Sequence, residues 1–329
     1  MKVIHSRNVN EAYAIGMNAL FEQGVHENSR CGDVLVMPEP VATTYTHSTE
    51  RVIFNINRDA NPFFHLMEGL WMLAGRNDVE WIGTYNSSFH QFSDDGKTFN
   101  AAYGYRWRKQ FNRDQIAEAI TMLKKDETTR RCVVSMWDPY ADFNEEGKDF
   151  PCNLNIHFLI RDKKLTMTVF NRSNDVIWGA YGANVVHMSM LQEYVASMLD
   201  IEIGFYTQVS NNFHAYKNVL DTVGIPDPHP MDPYERGDVF PLQMVTHKES
   251  WMDDLIAFME GQSKNRIFKN SFFIDVVLPM SSAWKFYKRK KYISAIGAIT
   301  DNMPDYCDWK IACRAWLIRK AEKNATKDS

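Results

Sequence analysis

Cys152 follows Pro151 and opens a stretch of mixed polar and apolar residues, and Arg172-Ser173 lies twenty residues further on. A thiol at a strand start can be a packed small hydrophobe. Beside a guanidinium it is instead biased toward thiolate, the form that attacks carbon. Arg130-Arg131 follows Thr128-Thr129 and reads either as a solvated pair or as a phosphate clamp, since guanidinium forks match phosphate oxygens. With Arg30, Arg172 and Ser173 it could fix a dianion, although the chain has no Walker or dinucleotide fingerprint. Glu68 interrupts the apolar run FFHLMEGLWML. It sits on a helix surface or, if buried, is costly unless paired or functional, and desolvation suits it to general acid/base work. Tyr103 in AAYGYRW and the pair His214, Tyr216 in NNFHAY read as polar aromatics in short loops, each as readily structural as catalytic.

The elements that must position these groups follow from periodicity. Asn10 to Phe21 carries Tyr13, Met17, Leu20 and Phe21 on one helical stripe. Val34 to Met37 and Val52 to Ile56 read as strands. Asn61-Pro62 opens a helix through Leu73, and Asn112 caps one carrying Ile116, Ile120 and Leu123. Cys132 to Trp137 is a strand. Asn153 to Ile160 alternates, with Leu154, Ile156 and Phe158 on one face and Asn155 and His157 on the other. Residues 161–164 form a turn, Leu165 to Asn171 returns, Asn184 to Leu199 is a helix and Ile201 to Val209 a strand. The fold class is α+β, hairpins and helices on one large mixed sheet. Residues 1–220 read as the catalytic part, and 221–329 as a divergent, basic, Trp-rich and mostly helical continuation of the same domain.

Bulk composition narrows the possibilities. The chain has 329 residues, 45% of them hydrophobic, enough for a sizeable core. A net charge of −4 gives no basic surface for nucleic acid. The five cysteines are scattered without a CxxC pair, which fits reduced thiols and no bound metal. The N-terminus has no apolar leader core and no run reaches spanning length, so a cytoplasmic, membrane-free protein is expected.

Taken in order, ENSRCG, HLMEGLW, AAYGYRWR, TRRCVVSMW, DFPCN, NRSND, GAYGAN and NNFHAY resemble the thymidylate synthase family, which includes the pyrimidine nucleotide hydroxymethylases. The resemblance covers about residues 10 to 220. It implies that Cys152 attacks C6 of the pyrimidine and that C5 captures the methylene of 5,10-methylenetetrahydrofolate. Glu68 would relay protons and Tyr103 would help remove the C5 proton. Arg30, Arg172 and Ser173 would hold the 5′-phosphate, with Arg130 and Arg131 reaching it from the partner of a homodimer formed through the sheet. His214 and Tyr216 would bind the sugar, and Asp175, Gly179, Phe89 and Phe92 would line the folate pocket. Counting forward from Asp175 puts Ala183 at the base-reading position. Counting back from His214 puts Asn184 there, so a one-residue insertion is inferred within Trp178–Ala183. Asn184 at that position favours uracil over cytosine.

Several residues depart from the synthases. Asn153 stands where they usually have His, and Phe89 and Phe92 where they have tryptophans. The chain ends in AEKNATKDS rather than in a short apolar lid. These changes leave room for water at the C5 methylene. LIRDKKLTMTVFNRSNDVIWG also looks closer to viral, phage-like hydroxymethylases. dUMP hydroxymethylation is therefore expected, with thymidylate synthesis as the alternative. A dCMP or CMP hydroxymethylase, or an inactive nucleotide-binding relative, comes behind both.

Overall fold

The chain reverses at Asp162-Lys163, both with positive φ (50° and 58°), which a two-residue hairpin turn needs if its twist is to match that of its strands. This hairpin is central to the computed structural model, which describes residues 1–143, 146–264 (without the side chain of 264) and 266–326. The last three residues of AEKNATKDS lie outside the described residues. The strands are β1 (Lys2–Ser6), β2 (Val25–Ser29), β3 (Gly32–Val36), β4 (Val41–Tyr45), β5 (Val133–Ser135), β6 (Asn153–Arg161), β7 (Lys164–Asn171), β8 (Asn174–Asp175), β9 (Glu202–Ser210) and β10 (Phe213–Tyr216). The helices are α1 (Val9–Gln23), α2 (Pro62–Leu73), α3 (Val79–Gly83), α4 (Tyr103–Arg108), α5 (Gln115–Lys125), α6 (Asn184–Leu199), α7 (Lys217–Val223), α8 (Lys248–Met259), α9 (Leu278–Lys288), α10 (Tyr292–Asn302) and α11 (Asp308–Ala325).

Six strands form a mixed sheet in the order β1-β4-β9-β7-β6-β5. Leu165, Met167 and Val169 of β7 are buried, and α6 packs against β7 and β9. Thr166, Thr168 and Phe170 point to the other face and stay partly exposed, as period-2 alternation requires. The architecture is α+β, as expected, but with a second sheet, β2-β3-β10-β8. That sheet sets His214 beside Asp175 in parallel register. His214 and Tyr216 therefore lie on a strand rather than a loop, and Tyr103 begins a helix.

Two expectations fail for local reasons. Val52–Ile56 forms no strand. Its backbone bonds go to side chains instead: Asn10 Nδ2 donates to the Val52 carbonyl at 3.1 Å, Asn10 Oδ1 accepts from Phe54 N at 2.8 Å, and the Val52 N–H reaches the Tyr234 hydroxyl at 3.2 Å. Asn112 does not cap α5, because it adopts a left-handed φ of 54°. Asp114 caps it, accepting from Ala117 N at 3.0 Å.

The hydrophobic core runs continuously from Ile4 to Leu317. In the C-terminal part, Trp284 and Trp316 pack on Phe63 of α2 with centroid separations of 5.4 and 5.7 Å. Among the described residues no helix is long and apolar enough to cross a membrane.

Candidate active site

Helix α2 starts with Asn61 accepting from Phe64 N at 3.2 Å and with Pro62 in the first turn. Every residue of α2 is buried, Glu68 included. This carboxyl is paired: His187 Nε2 lies 2.9 Å from its Oε2. His187 comes from α6, one turn after Asn184 and on the same face.

Asn184 is delivered by the segment before it. Val176–Ala183 is helical but kinked at Tyr181 (φ −113°, ψ 24°) and Gly182 (φ −127°, ψ −118°), and the Asn184 N–H bonds back to the Gly179 carbonyl. That bond spans five residues and widens the backbone locally. Asp175 starts this turn, its Oδ1 accepting from Ile177 N at 2.8 Å and Trp178 N at 2.6 Å. The turn is braced by buried Arg58, whose Nε donates to the Ile177 carbonyl at 2.8 Å and whose guanidinium lies 4.6 Å from the Trp178 ring centroid. Burial lowers the Arg58 pKa to about 10. Neighbouring Asp59 is held by Arg319 and Lys320 of α11, so the C-terminal helix is tied to the same corner.

Two adjoining cavities share Phe150 and Ser173. The outer, about 590 Å³, is lined by Arg30, Arg172, Ser173, His214 and Tyr216. The inner, about 330 Å³, is lined by Cys152, Glu68, Tyr103, Asn184, Asp175, Gly179, Phe89 and Phe92. Every expected site residue reaches one of them except Arg130 and Arg131, which are exposed and line neither.

Arg172 organises the junction. Its backbone N–H donates to the Cys152 carbonyl at 2.9 Å, its Nε to the Pro151 carbonyl at 2.9 Å, and its Nη2 approaches Cys152 Sγ at 3.8 Å. The expected thiolate bias does not prevail in the free protein. Burial pushes the Cys152 thiol up, Arg172 opposes it, and Asp149 and Asp175 add to the rise. Burial also raises Tyr103, whose hydroxyl faces Asn153 and the backbone at Cys152. Asp175 is raised by burial against its two N–H donors and His214, and its Oδ2 is buried without a partner.

Sequence reasoning missed His187, although a lone polar residue in the apolar run NVVHMSM is the signal that picked out Glu68. It also missed Asp149, an inner-cavity carboxyl raised by burial that accepts from Ala101 N at 3.2 Å. Asn174 and Gln208 were missed as well, since only long-range pairing shows what they do.

The sheet, and the thiol it presents at the mouth of an aromatic pocket, define an enzyme, a transferase of one-carbon groups. A family model described as "Thymidylate synthase" matches residues 11–225, and the chain belongs to that family. It is 46% identical to a "Deoxyuridylate hydroxymethyltransferase" of Pseudomonas phage M6, over 97% of this chain and 95% of that one. A protein of the same name from Bacillus phage SP01 is 40% identical over 56% of this chain and 50% of its own. A "Putative thymidylate synthase" of Methanothermobacter marburgensis is 36% identical over 42% of this chain and 60% of its own.

Proposed function

We propose that this enzyme converts deoxyuridylate to 5-hydroxymethyl-deoxyuridylate, using 5,10-methylenetetrahydrofolate and water. The observation that carries the reading is Cys152 Sγ beside Arg172, at the junction of an arginine-lined and an aromatic cavity. Near full-length similarity to a phage deoxyuridylate hydroxymethyltransferase supports the choice of reaction.

Arg30, Arg172 and Ser173 hold the 5′-phosphate in the outer cavity, and His214 and Tyr216 hold the sugar. Exposed Arg130 and Arg131 serve the site of a second copy, in a homodimer built on the uncovered sheet face where Phe205 is 56% exposed and Val133 45% exposed. The inner cavity fits a reduced folate: Phe89, Phe92 and Trp178 offer flat faces, and the unpartnered Asp175 Oδ2 offers an acceptor to a pterin N–H. When bound, that folate supplies the carbon at the methylene level.

Cys152 Sγ adds to C6, and the ring electrons move onto the C4 oxygen, making C5 the nucleophile. Arg172 Nη2, 3.8 Å from Sγ, favours the thiolate, and the thiol proton passes to water as the C6–S bond forms. C5 takes the methylene carbon, whose bond to the folate nitrogen would break as tetrahydrofolate leaves; Tyr103 keeps its own proton and orients the water that receives the C5 proton, which leaves an exocyclic methylene on C5. Glu68, held by His187, takes a proton from the water that adds to the exocyclic carbon. The electron pair then returns to form C5=C6, and the C6–S bond breaks to release Cys152. Among the described residues none beyond His187 lines the inner cavity.

The test is product analysis by mass spectrometry with dUMP, dCMP and CMP in competition. 5-Hydroxymethyl-dUMP with tetrahydrofolate is expected. Exclusive formation of dTMP with dihydrofolate rejects the reading in favour of thymidylate synthesis.

A further inference from the structure

A chain of buried amides runs from the core to Asn184, and its polarity is forced from one end. Gln208 lies 2.8 Å from the Ala180 carbonyl, a group that can only accept, so its NH2 must face there, and it also reaches the Tyr45 hydroxyl at 2.7 Å. Gln208 Oε1 is then left as an acceptor, and Asn174 must turn its NH2 toward it at 3.3 Å, with Ser210 Oγ at 3.0 Å. That leaves Asn174 Oδ1 to accept from Asn184 Nδ2 at 3.0 Å. Each amide fixes the next, and Asn184 Oδ1 has no partner among the described residues. Gly179 completes the arrangement, because a Cβ there would lie 2.6 Å from Asn174 Oδ1 and 3.0 Å from Asn184 Nδ2.

We infer that Asn174 and Gln208 are specificity-positioning residues: they lock the Asn184 amide in one orientation and so set which pyrimidine the enzyme accepts. The inference rests on the proposed placement of the base against Asn184. Uracil offers N3–H and a C4 carbonyl, and cytosine offers N3 and a C4 amino group. A freely turning amide satisfies either edge by exchanging its oxygen and nitrogen. A locked amide satisfies one, and turning it would set its oxygen against Asn174 Oδ1, two acceptors facing each other in a buried site. The lock selects uracil, and it is built from residues that never touch the base.

The experiment compares the wild type with Asn174→Ala and Asn174→Asp, measuring dUMP and dCMP affinity by calorimetry without folate. Folding is checked by circular dichroism. Asn174→Ala releases Asn184 and should shrink the dUMP-to-dCMP affinity ratio by about tenfold or more, partly through a gain in dCMP binding. Asn174→Asp keeps an acceptor toward Asn184 and should hold the ratio within about threefold of wild type. A folded Asn174→Ala protein with the wild-type ratio overturns the inference alone. So does a loss of dUMP binding common to both variants with no change in the ratio. A wild type that binds dCMP as well as dUMP overturns the proposed base reading too.

Discussion

His187 Nε2 and Glu68 Oε2 lie 2.9 Å apart inside the protein, on helices separated by 119 residues of chain. A carboxylate oxygen accepts, so the imidazole donates from Nε2. Its Nδ1 is buried without a protein partner. Glu68→Gln should lower kcat for hydroxymethylation by about 10²–10⁴-fold, the usual contribution of a positioned proton-transfer group. His187→Leu should leave the carboxylate without its donor and cost about 1–3 kcal/mol of stability. Chemical denaturation of the two variants checks the second expectation. An unchanged midpoint for His187→Leu counts against the bond.

Cys152 should titrate higher still once Arg172 is gone. Burial already raises this thiol and Arg172 is the group that opposes it. In Arg172→Leu the pH profile of Cys152 alkylation by iodoacetamide, followed on its own peptide by mass spectrometry, should move to higher pH. An unmoved profile would count against Arg172 as the charge that opposes burial.

Asp308 links stability to pH. It is buried, accepts from the Tyr234 hydroxyl at 2.7 Å and from Trp309 N at 2.7 Å, and its pKa is raised to about 6 by burial. The unfolded chain ionises near the ordinary aspartate value, so below that value both states carry the proton and nothing is lost. As pH rises toward about 6 the folded state is increasingly penalised, reaching about 3 kcal/mol above it. Asp308→Asn should therefore raise Tm above pH 6 and give little gain near pH 4. A gain of equal size at both pH values would refute this.

Gly179→Ala should fail at the amide pair rather than at the backbone. The added methyl meets Asn174 Oδ1 and Asn184 Nδ2, and such overpacking costs about 1–3 kcal/mol. Weaker dUMP binding by calorimetry is the expected sign, and wild-type affinity would show that the pair can give way.

Arg131→Ala and Cys152→Ser should each be nearly inactive alone. Unfolded together and refolded, they should recover about a quarter of wild-type activity, because half the dimers are mixed and each holds one intact site. No recovery would place Arg131 outside a shared site.

Much of this was legible in the sequence because the signals are local. The spacing of Cys152 and Arg172 is that of one hairpin, and alternation plus a two-residue turn places its strands. The apolar period around Glu68 fixes a helix. The failure at Val52–Ile56 came from side chains that took over backbone bonds, and the one at Asn112 from a left-handed backbone that left the cap to Asp114.

The sequence by itself indicated which residue types could do chemistry and, outside Tyr103, His214 and Tyr216, most of the elements that carry them, since both depend on neighbours within a turn or a hairpin. Tertiary packing decided how those groups behave. It buried Cys152 deeply enough to outweigh Arg172, kept Arg130 and Arg131 out of both cavities, and set His187 against Glu68. It also connected Gln208, Asn174 and Asn184 into one polarised chain. Desolvation and hydrogen-bond direction are properties of what surrounds an atom in space, and that surrounding is assembled from segments as far apart in the chain as Glu68 and His187.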